Sequence, residues 1–324
     1  MSYAILARQP GEASVLQRVD REPPVPGPGQ VLIRHEAIGV NFIDIYFRQG
    51  LYPWPVDKDL VLGSEGAGVV EALGDGVDNV RVGQRVAYTL PNGSYATHRA
   101  VPAAHVVALP DDIPFDIAAA VMLKGLTAHY LIHNSHPVQR GDTVLFHAAA
   151  GGVGLLAGQW LAAKGVRAFG TAGGAAKVAL AQEHGYAAVC DYQSDDFVRF
   201  VKDRTDGAGV AAVYDSVGAS TVIGSVECLA TFGTLVSFGQ SSGAPDALRV
   251  SHLARGSLRV TRPSLFHHTA SRAWLEQAAA DLFQMIRQGD IKVRIDLTLP
   301  LEDAAQAHEA LASRKTTGCI VLRP

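Results

Sequence analysis

The residues best suited to chemistry in this 324-residue chain are small ones. Ala149-Ala150-Gly151-Gly152-Val153-Gly154 lies between a β-prone run, Thr143 to His147, and a segment whose Val153, Leu156, Ala157, Trp160 and Leu161 share one helical face. Residues without bulk allow a tight turn and close approach of backbone to a pyrophosphate, and the amides opening the next helix then face the phosphates. Gly165 is a natural helix stop, and Val166 to Gly170 reads as the second strand of a βαβ unit. Measured against G-x-G-x-x-G, Gly151 and Gly154 fill the second and third glycine positions, while Ala149 replaces the first. The expected ligand is a dinucleotide.

The end of the second strand decides which one. An acid that grips the adenine ribose is expected about 20 residues beyond the fingerprint. The chain instead reads Gly170-Thr171-Ala172-Gly173-Gly174, with Lys177 as the nearest charge. At about 4 Å a carboxylate opposes a 2′-phosphate by roughly 1 to 4 kcal/mol per unit charge, and a lysine gains a similar amount. Because 1.4 kcal/mol is a factor of ten, exchanging acid for lysine shifts the preference by about a hundredfold or more. These residues predict NADPH, with Lys177 on its 2′-phosphate.

The elements that hold this turn continue downstream. Apolar strands at Ala187 to Cys190, Val210 to Tyr214, Gly233 to Phe238 and Ser257 to Thr261 alternate with helix-like stretches such as Asp195 to Arg204. With the first two strands, this alternation predicts a doubly wound parallel sheet. Gly239-Gln240-Ser241-Ser242-Gly243 follows a strand's carboxyl end, where such sheets bind ligands. Residues 1 to about 124 differ, because Val31 to Val40, Gly66 to Ala72 and Arg85 to Leu90 are β-branched runs often punctuated by glycine or proline, so this half is expected to be mostly β. Arg21 to Gly29, rich in proline, is expected to be a rigid surface connection between two strands. Ala273 to Gln288 has helical spacing with Gly289 as its stop, and strand-like Ile291 to Leu299 and Gly318 to Leu322 are expected to return to the β-rich half.

Composition removes several classes. Hydrophobic residues make up 48% and charged residues 18%, with a net charge of −3, so neither disorder nor nucleic-acid binding is expected. The length suits two domains. Cys190, Cys228 and Cys319 are far apart and form no C-x-x-C pair, which predicts reduced core thiols in a cytoplasmic protein. The start, Met-Ser-Tyr-Ala-Ile-Leu-Ala-Arg, lacks a secretory pattern and reads as a first strand. Thr143 to Ala163 is uncharged over a membrane-spanning length, but its glycine cluster and strand-to-helix break predict a crossover helix, so no membrane insertion is expected. His133-Asn134-Ser135-His136 and His267-His268 lack a third ligand at metal spacing and are expected in surface loops.

Taken together, Gly39-Val40-Asn41-Phe42-Ile43-Asp44, Gly63-Ser64-Glu65-Gly66-Ala67-Gly68, Leu123-Lys124-Gly125-Leu126-Thr127, His147 to Gly154, Tyr214-Asp215-Ser216-Val217-Gly218, Ser237-Phe238-Gly239 and Thr261-Arg262-Pro263-Ser264-Leu265 carry a resemblance. Over nearly its whole length the chain resembles the medium-chain dehydrogenase/reductase superfamily, in its zinc-free quinone oxidoreductase branch, the zeta-crystallin-like NADPH:quinone reductases. The resemblance implies an α/β protein with a GroES-like, mostly β catalytic domain at 1–124, completed by about 263–324. It implies a Rossmann domain at 125–262 whose doubly wound parallel six-stranded sheet binds NADPH. A cytoplasmic homodimer acting on a small quinone or enone is also implied.

Carried over by motif, Asn41 and Phe42, Ile43, Asp44, Ile45 and Tyr46 lie near the nicotinamide. Thr127, Gly151, Gly152 and Val153 lie near the phosphates, and Gly173, Lys177 and Tyr192 surround the 2′-phosphate. Ser216, Phe238, Gly239, Gln240 and Ser241, with Pro263, Ser264 and Leu265, complete the implied cofactor contacts. A phenol at Tyr192 can donate to a phosphate oxygen, which supports Lys177 independently. Zinc-dependent relatives have a cysteine near the Asn41 segment and Gly-His-Glu in place of Gly63-Ser64-Glu65, so no metal is expected here and Glu65 is expected to be a buried acid satisfied by hydrogen bonds. The expected reaction is hydride transfer from NADPH to a flat, electron-poor acceptor, with Asn41, Tyr46 and Tyr52 donating where negative charge grows and Arg262 as an electrostatic helper. Two alternatives stand beside it: reduction of an α,β-unsaturated carbonyl, and a non-catalytic NADPH-binding structural or regulatory protein.

Overall fold

Apolar strands pair into three sheets in the computed structural model, which describes residues 2–313 and 315–324. The first strands are β1 (Tyr3–Ala7), β2 (Leu16–Asp20), β3 (Gln30–Val40), β4 (Leu60–Val61), β5 (Glu65–Leu73), β6 (Arg85–Thr89), β7 (His98–Pro102) and β8 (Val106–Ala108). Next come β9 (Thr143–Phe146), β10 (Arg167–Ala172), β11 (Ala188–Asp191), β12 (Val210–Asp215), β13 (Leu229–Ser237) and β14 (Arg259–Thr261). The chain ends on β15 (Ile295–Pro300) and β16 (Cys319–Arg323). Its helices are α1 (Phe42–Arg48), α2 (Phe115–Tyr130), α3 (Gly152–Ala163), α4 (Ala175–Glu183), α5 (Phe197–Arg204), α6 (Val222–Glu227), α7 (Leu265–Thr269), α8 (Arg272–Gln288) and α9 (Ala304–Ala312).

Contacts divide the chain into two units, Met1–Leu126 with His268–Arg287 and Val293–Pro324, and Thr127–His267 with Gln288–Lys292. In the first, a seven-stranded sheet runs β15-β16-β3-β5-β6-β8 with β7 paired to β3, and a smaller sheet runs β2-β1-β4. The late strand β16 lies antiparallel to β3, so the C-terminal segment does return to the β-rich half. Glycines let the backbones approach: a Cβ on Gly68 would stand 2.0 Å from the Arg34 carbonyl oxygen on the neighbouring strand. Arg21 to Pro26 runs exposed or half-buried between β2 and β3.

In the second unit the order β11-β10-β9-β12-β13-β14 is parallel throughout, the doubly wound six-stranded sheet expected. Leu145, Phe169, Val213 and Leu235, from four adjacent strands, have no exposed surface, as a sheet covered on both faces requires. Asp196 starts α5 by accepting from the Val198 and Arg199 amides.

Two local expectations are corrected. His133 lies in a π-helical turn, Leu131–Ser135, with its ring 4.3 Å from that of His129, and His267-His268 lie in α7, so of these histidines only the half-buried His136 lies in a loop. Thr143 to Ala163 divides into β9 and the crossover helix α3, as expected, and the run of membrane-spanning length and apolarity among the described residues is instead Phe115–Ser135, most of it buried as in a core helix. A carboxylate also stands beside the tip of β10: Asp191 pairs with Ala172 in the sheet, and its Oδ1 accepts from the Gly174 amide at 2.9 Å and the Gln193 amide at 3.1 Å.

Candidate functional site

The glycine turn leaves β9 in the second unit. Ala148, one residue before the position that lacks its glycine, takes φ +54, so the left-handed strain falls on a small non-glycine residue. A Cβ on Gly154 would lie 2.4 Å from the Ala148 oxygen and 2.6 Å from the Ala149 oxygen, which admits only glycine without displacement of the backbone. Gly151, the N-cap of α3, offers no side chain to cap it, and first-turn amides have no partner within a helix. This bare cradle of donors fits a pyrophosphate.

At the end of β10, Gly173 lies against Tyr192: a Cβ there would stand 2.6 Å from the phenol oxygen. Lys177 sits in the first turn of α4, whose N-cap is Gly174 with φ +86. Ser216 follows β12, and its carbonyl accepts from the Ser241 amide, while Asp215 O accepts from Phe238 N at 2.8 Å. This brings Ser216 and the Phe238 to Ser241 loop together. Arg262 braces the same loop, donating to Ser237 O, Gly239 O and Gln240 Oε1 at 3.0 to 3.2 Å. Its guanidinium is therefore spent largely on structure. Pro263 and Ser264 are half-buried and lead into Leu265 at the start of α7, and Thr127 lies buried in α2.

In the first unit, α1 gathers aromatic side chains. The Tyr46 ring is 5.4 Å from Tyr52 and 6.3 Å from Phe42, and Tyr52 is edge-on to Phe47 at 5.5 Å. The carbonyl of Tyr46 accepts from the amides of Leu51 and Tyr52, which folds the proline-bounded segment back onto the helix. Ile45 and Asp44 are buried, and Ile43 is half-buried.

Beneath these lies a polar network. Glu65, fully buried, accepts from Asn41 Nδ2 at 2.8 Å, Lys124 Nζ at 2.9 Å and the Leu123 amide at 2.6 Å, as a buried acid must. Burial pulls the Lys124 ammonium down, but the Glu65 carboxylate outweighs it and holds the pKa above its usual value. Asp44 accepts from the Asn41 amide at 2.9 Å, from Ser64 Oγ at 2.6 Å and from the Tyr95 hydroxyl at 3.1 Å. With its hydrogen on Asp44, Tyr95 accepts from His308 Nε2 at 2.9 Å, and His308 Nδ1 faces Arg48 Nη1 at 3.4 Å. Sequence reasoning missed Lys124, Tyr95 and His308. The Asn41-x-x-Asp44 spacing at a helix start was the available signal for Asp44.

Burial outweighs those donors and pushes the Asp44 carboxyl from 3.8 up to about 7, with Glu65 adding a smaller upward push. A raised folded pKa means that the folded state holds more protons, so this group's contribution to stability falls as pH rises from about 4 through about 7. Urea unfolding of wild type and Asp44→Asn across that range should show a slope in wild type that the variant lacks. Parallel curves would show that Asp44 does not titrate there.

No group of three or more His, Cys, Asp or Glu side chains able to hold a metal ion occurs among the described residues. Ser64 donates to Asp44 and Glu65 is saturated by nitrogen donors, so these residues do not fit a zinc ion.

The alcohol dehydrogenase GroES-like domain profile matches residues 27–111, and the zinc-binding dehydrogenase profile matches residues 184–322. A quinone oxidoreductase of Pseudomonas aeruginosa is 46% identical over 316 residues, 97% of each chain. The chain belongs to the quinone oxidoreductase family. Within that family, the solved structure of Escherichia coli quinone oxidoreductase complexed with NADPH is 42% identical and superposes with a TM-score of 0.97, covering 99% of this chain and 100% of that one. A 2-haloacrylate reductase from a Burkholderia species is 40% identical over 92% of each chain. The family is part of the medium-chain dehydrogenase/reductase superfamily, with the GroES-like and Rossmann parts that the motifs imply.

Proposed function

We propose that this protein is an NADPH-dependent quinone reductase, catalysing NADPH + quinone + H⁺ → NADP⁺ + hydroquinone. The observation that carries the reading is the uncapped glycine turn of Gly151 to Gly154 in a chain alike over its full length to quinone oxidoreductases. NADPH, when bound, supplies the hydride from its nicotinamide. Gly151, Gly152, Val153 and Thr127 hold its phosphates. Gly173, Lys177 and Tyr192 hold the 2′-phosphate, and the loop Phe238 to Ser241, with Ser216 and Pro263 to Leu265, holds the nicotinamide side. On α1 and the segment after it, Tyr46 and Tyr52 offer ring faces to a flat acceptor, and Phe42 to Ile45 set the backbone that carries them. Asn41 keeps one amide hydrogen on Glu65, leaving the second for oxygen where negative charge grows.

Reduction of an α,β-unsaturated carbonyl is the second reading, favoured by the likeness to a 2-haloacrylate reductase. NADPH oxidation across a panel of quinones and enones tests both. Fast quinone turnover with slow enone turnover is expected. The reverse ranking establishes the second reading, and NADPH binding without turnover of either class leaves the non-catalytic role. Unchanged kcat and KM in Tyr46→Phe would remove Tyr46 from the reaction.

The same reading makes the protein a cytoplasmic homodimer. Three buried thiols without a disulfide support a reducing compartment, and β14, at the sheet edge with Val260 exposed, offers a strand to a second copy.

A further inference from the structure

His147, the last residue before the glycine turn, lies in a buried chain of side chains that its neighbours in sequence do not explain. Its Nδ1 is 3.0 Å from Thr171 Oγ1 on β10, and its Nε2 is 2.9 Å from Ser225 Oγ on α6. Ser225 in turn donates to Asp215 Oδ2 on β12 at 2.9 Å. Asp215 also accepts from the Val217 and Gly218 amides and from the Thr221 hydroxyl. His147, Thr171, Ser225 and Asp215 are each at most 2% exposed.

The direction of each bond follows from this arrangement. Ser225 has one hydrogen and gives it to Asp215, so its oxygen can only accept from the imidazole. The His147 proton is then on Nε2, and Nδ1 accepts from the Thr171 hydroxyl. Burial lowers the imidazole pKa, against the opposing pull of Asp215. An acid, a serine and a histidine in contact suggest a nucleophilic triad, but here the serine lies between the other two and its hydrogen faces the acid. The histidine has no hydroxyl proton to take from it, and no substrate reaches a serine without exposed surface.

The chain ties together the carboxyl ends of β10, β9 and β12, the edge from which the turn departs. The next residue, Ala148, holds its left-handed backbone, and its carbonyl accepts from the Gly151 amide at 2.9 Å. We propose that His147 is a positioning residue for the pyrophosphate, fixing through Thr171 and Ser225 the place at which the Gly152 to Gly154 amides meet it. This rests on the dinucleotide reading above.

Titration calorimetry of NADPH and of adenosine 2′-phosphate, which lacks the pyrophosphate, into wild type, His147→Phe and His147→Gln tests it. His147→Phe should weaken NADPH about tenfold, a loss of about 1.4 kcal/mol from displaced phosphate donors, and leave adenosine 2′-phosphate within about twofold. His147→Gln, which restores a donor near the Nε2 position, should recover most of the loss. Equal weakening of both ligands, unchanged NADPH affinity in His147→Phe, or no recovery in His147→Gln overturns the proposal. Should His147→Phe not fold, Thr171→Val and Ser225→Ala break the chain one bond at a time and must show the same ligand selectivity. Wild type that binds adenosine 2′-phosphate but not NADPH would defeat the dinucleotide reading itself, and the proposal with it.

Discussion

Lys124→Met should destabilise the protein by about 3–5 kcal/mol at neutral pH, the usual result of leaving a buried charge without its partner. Glu65 has no exposed surface, and Lys124, 2.9 Å away, is the one formally charged donor to it among the described residues, beside the Asn41 amide and the Leu123 backbone. Its place in the sheet leaves little room to adapt. Gly39 is opposite Glu65 in the β3/β5 register, and a Cβ there would stand 2.2 Å from Glu65 Oε1 and 2.2 Å from the Ala119 carbonyl oxygen. In Lys124→Met/Glu65→Gln the charge is gone, and much of the stability should return although the ion pair is absent. Guanidinium unfolding of the three proteins measures this. If the double variant is no more stable than Lys124→Met, the loss comes from packing of the lysine stem and not from a stranded carboxylate.

That pair also shows where sequence reading stopped. The parallel sheet was legible because its strands are short apolar runs separated by glycine turns, and observed boundaries fall within a few residues of the expected ones, as with β12 at Val210–Asp215. The burial of Glu65 was legible from its missing histidine neighbour. Lys124 was not, because a partner 59 residues away leaves no local pattern. The helix α2 was equally silent: a segment that is apolar on nearly every side has no amphipathic period to detect. Asp191 was overlooked for a different reason. The rule that seeks an acid looks along one strand, whereas pairing of β10 with β11 brings a carboxylate to the same tip from the side.

Lys177→Glu should weaken NADPH binding by about a hundredfold or more while leaving NADH nearly unchanged, since the substitution replaces an attraction by a repulsion of roughly 1 to 4 kcal/mol each at about 4 Å. Asp191, whose Oδ1 accepts from the Gly174 and Gln193 amides, is present in both proteins, so its charge cancels from the comparison. The helix end gives the experiment a built-in control. Lys177 lies in the first turn of α4, where the helix dipole disfavours a cation and favours an anion by about 0.3–1 kcal/mol. The dipole taken by itself therefore favours glutamate at this position. The variant should stay folded, with a melting temperature close to that of wild type, and lose NADPH affinity all the same. A fall in stability matched by equal losses for NADPH and NADH would mean that the substitution had damaged the fold, and unchanged selectivity would remove Lys177 from the phosphate. A loss confined to NADPH in a variant that stays folded is what a lysine acting on the 2′-phosphate must produce.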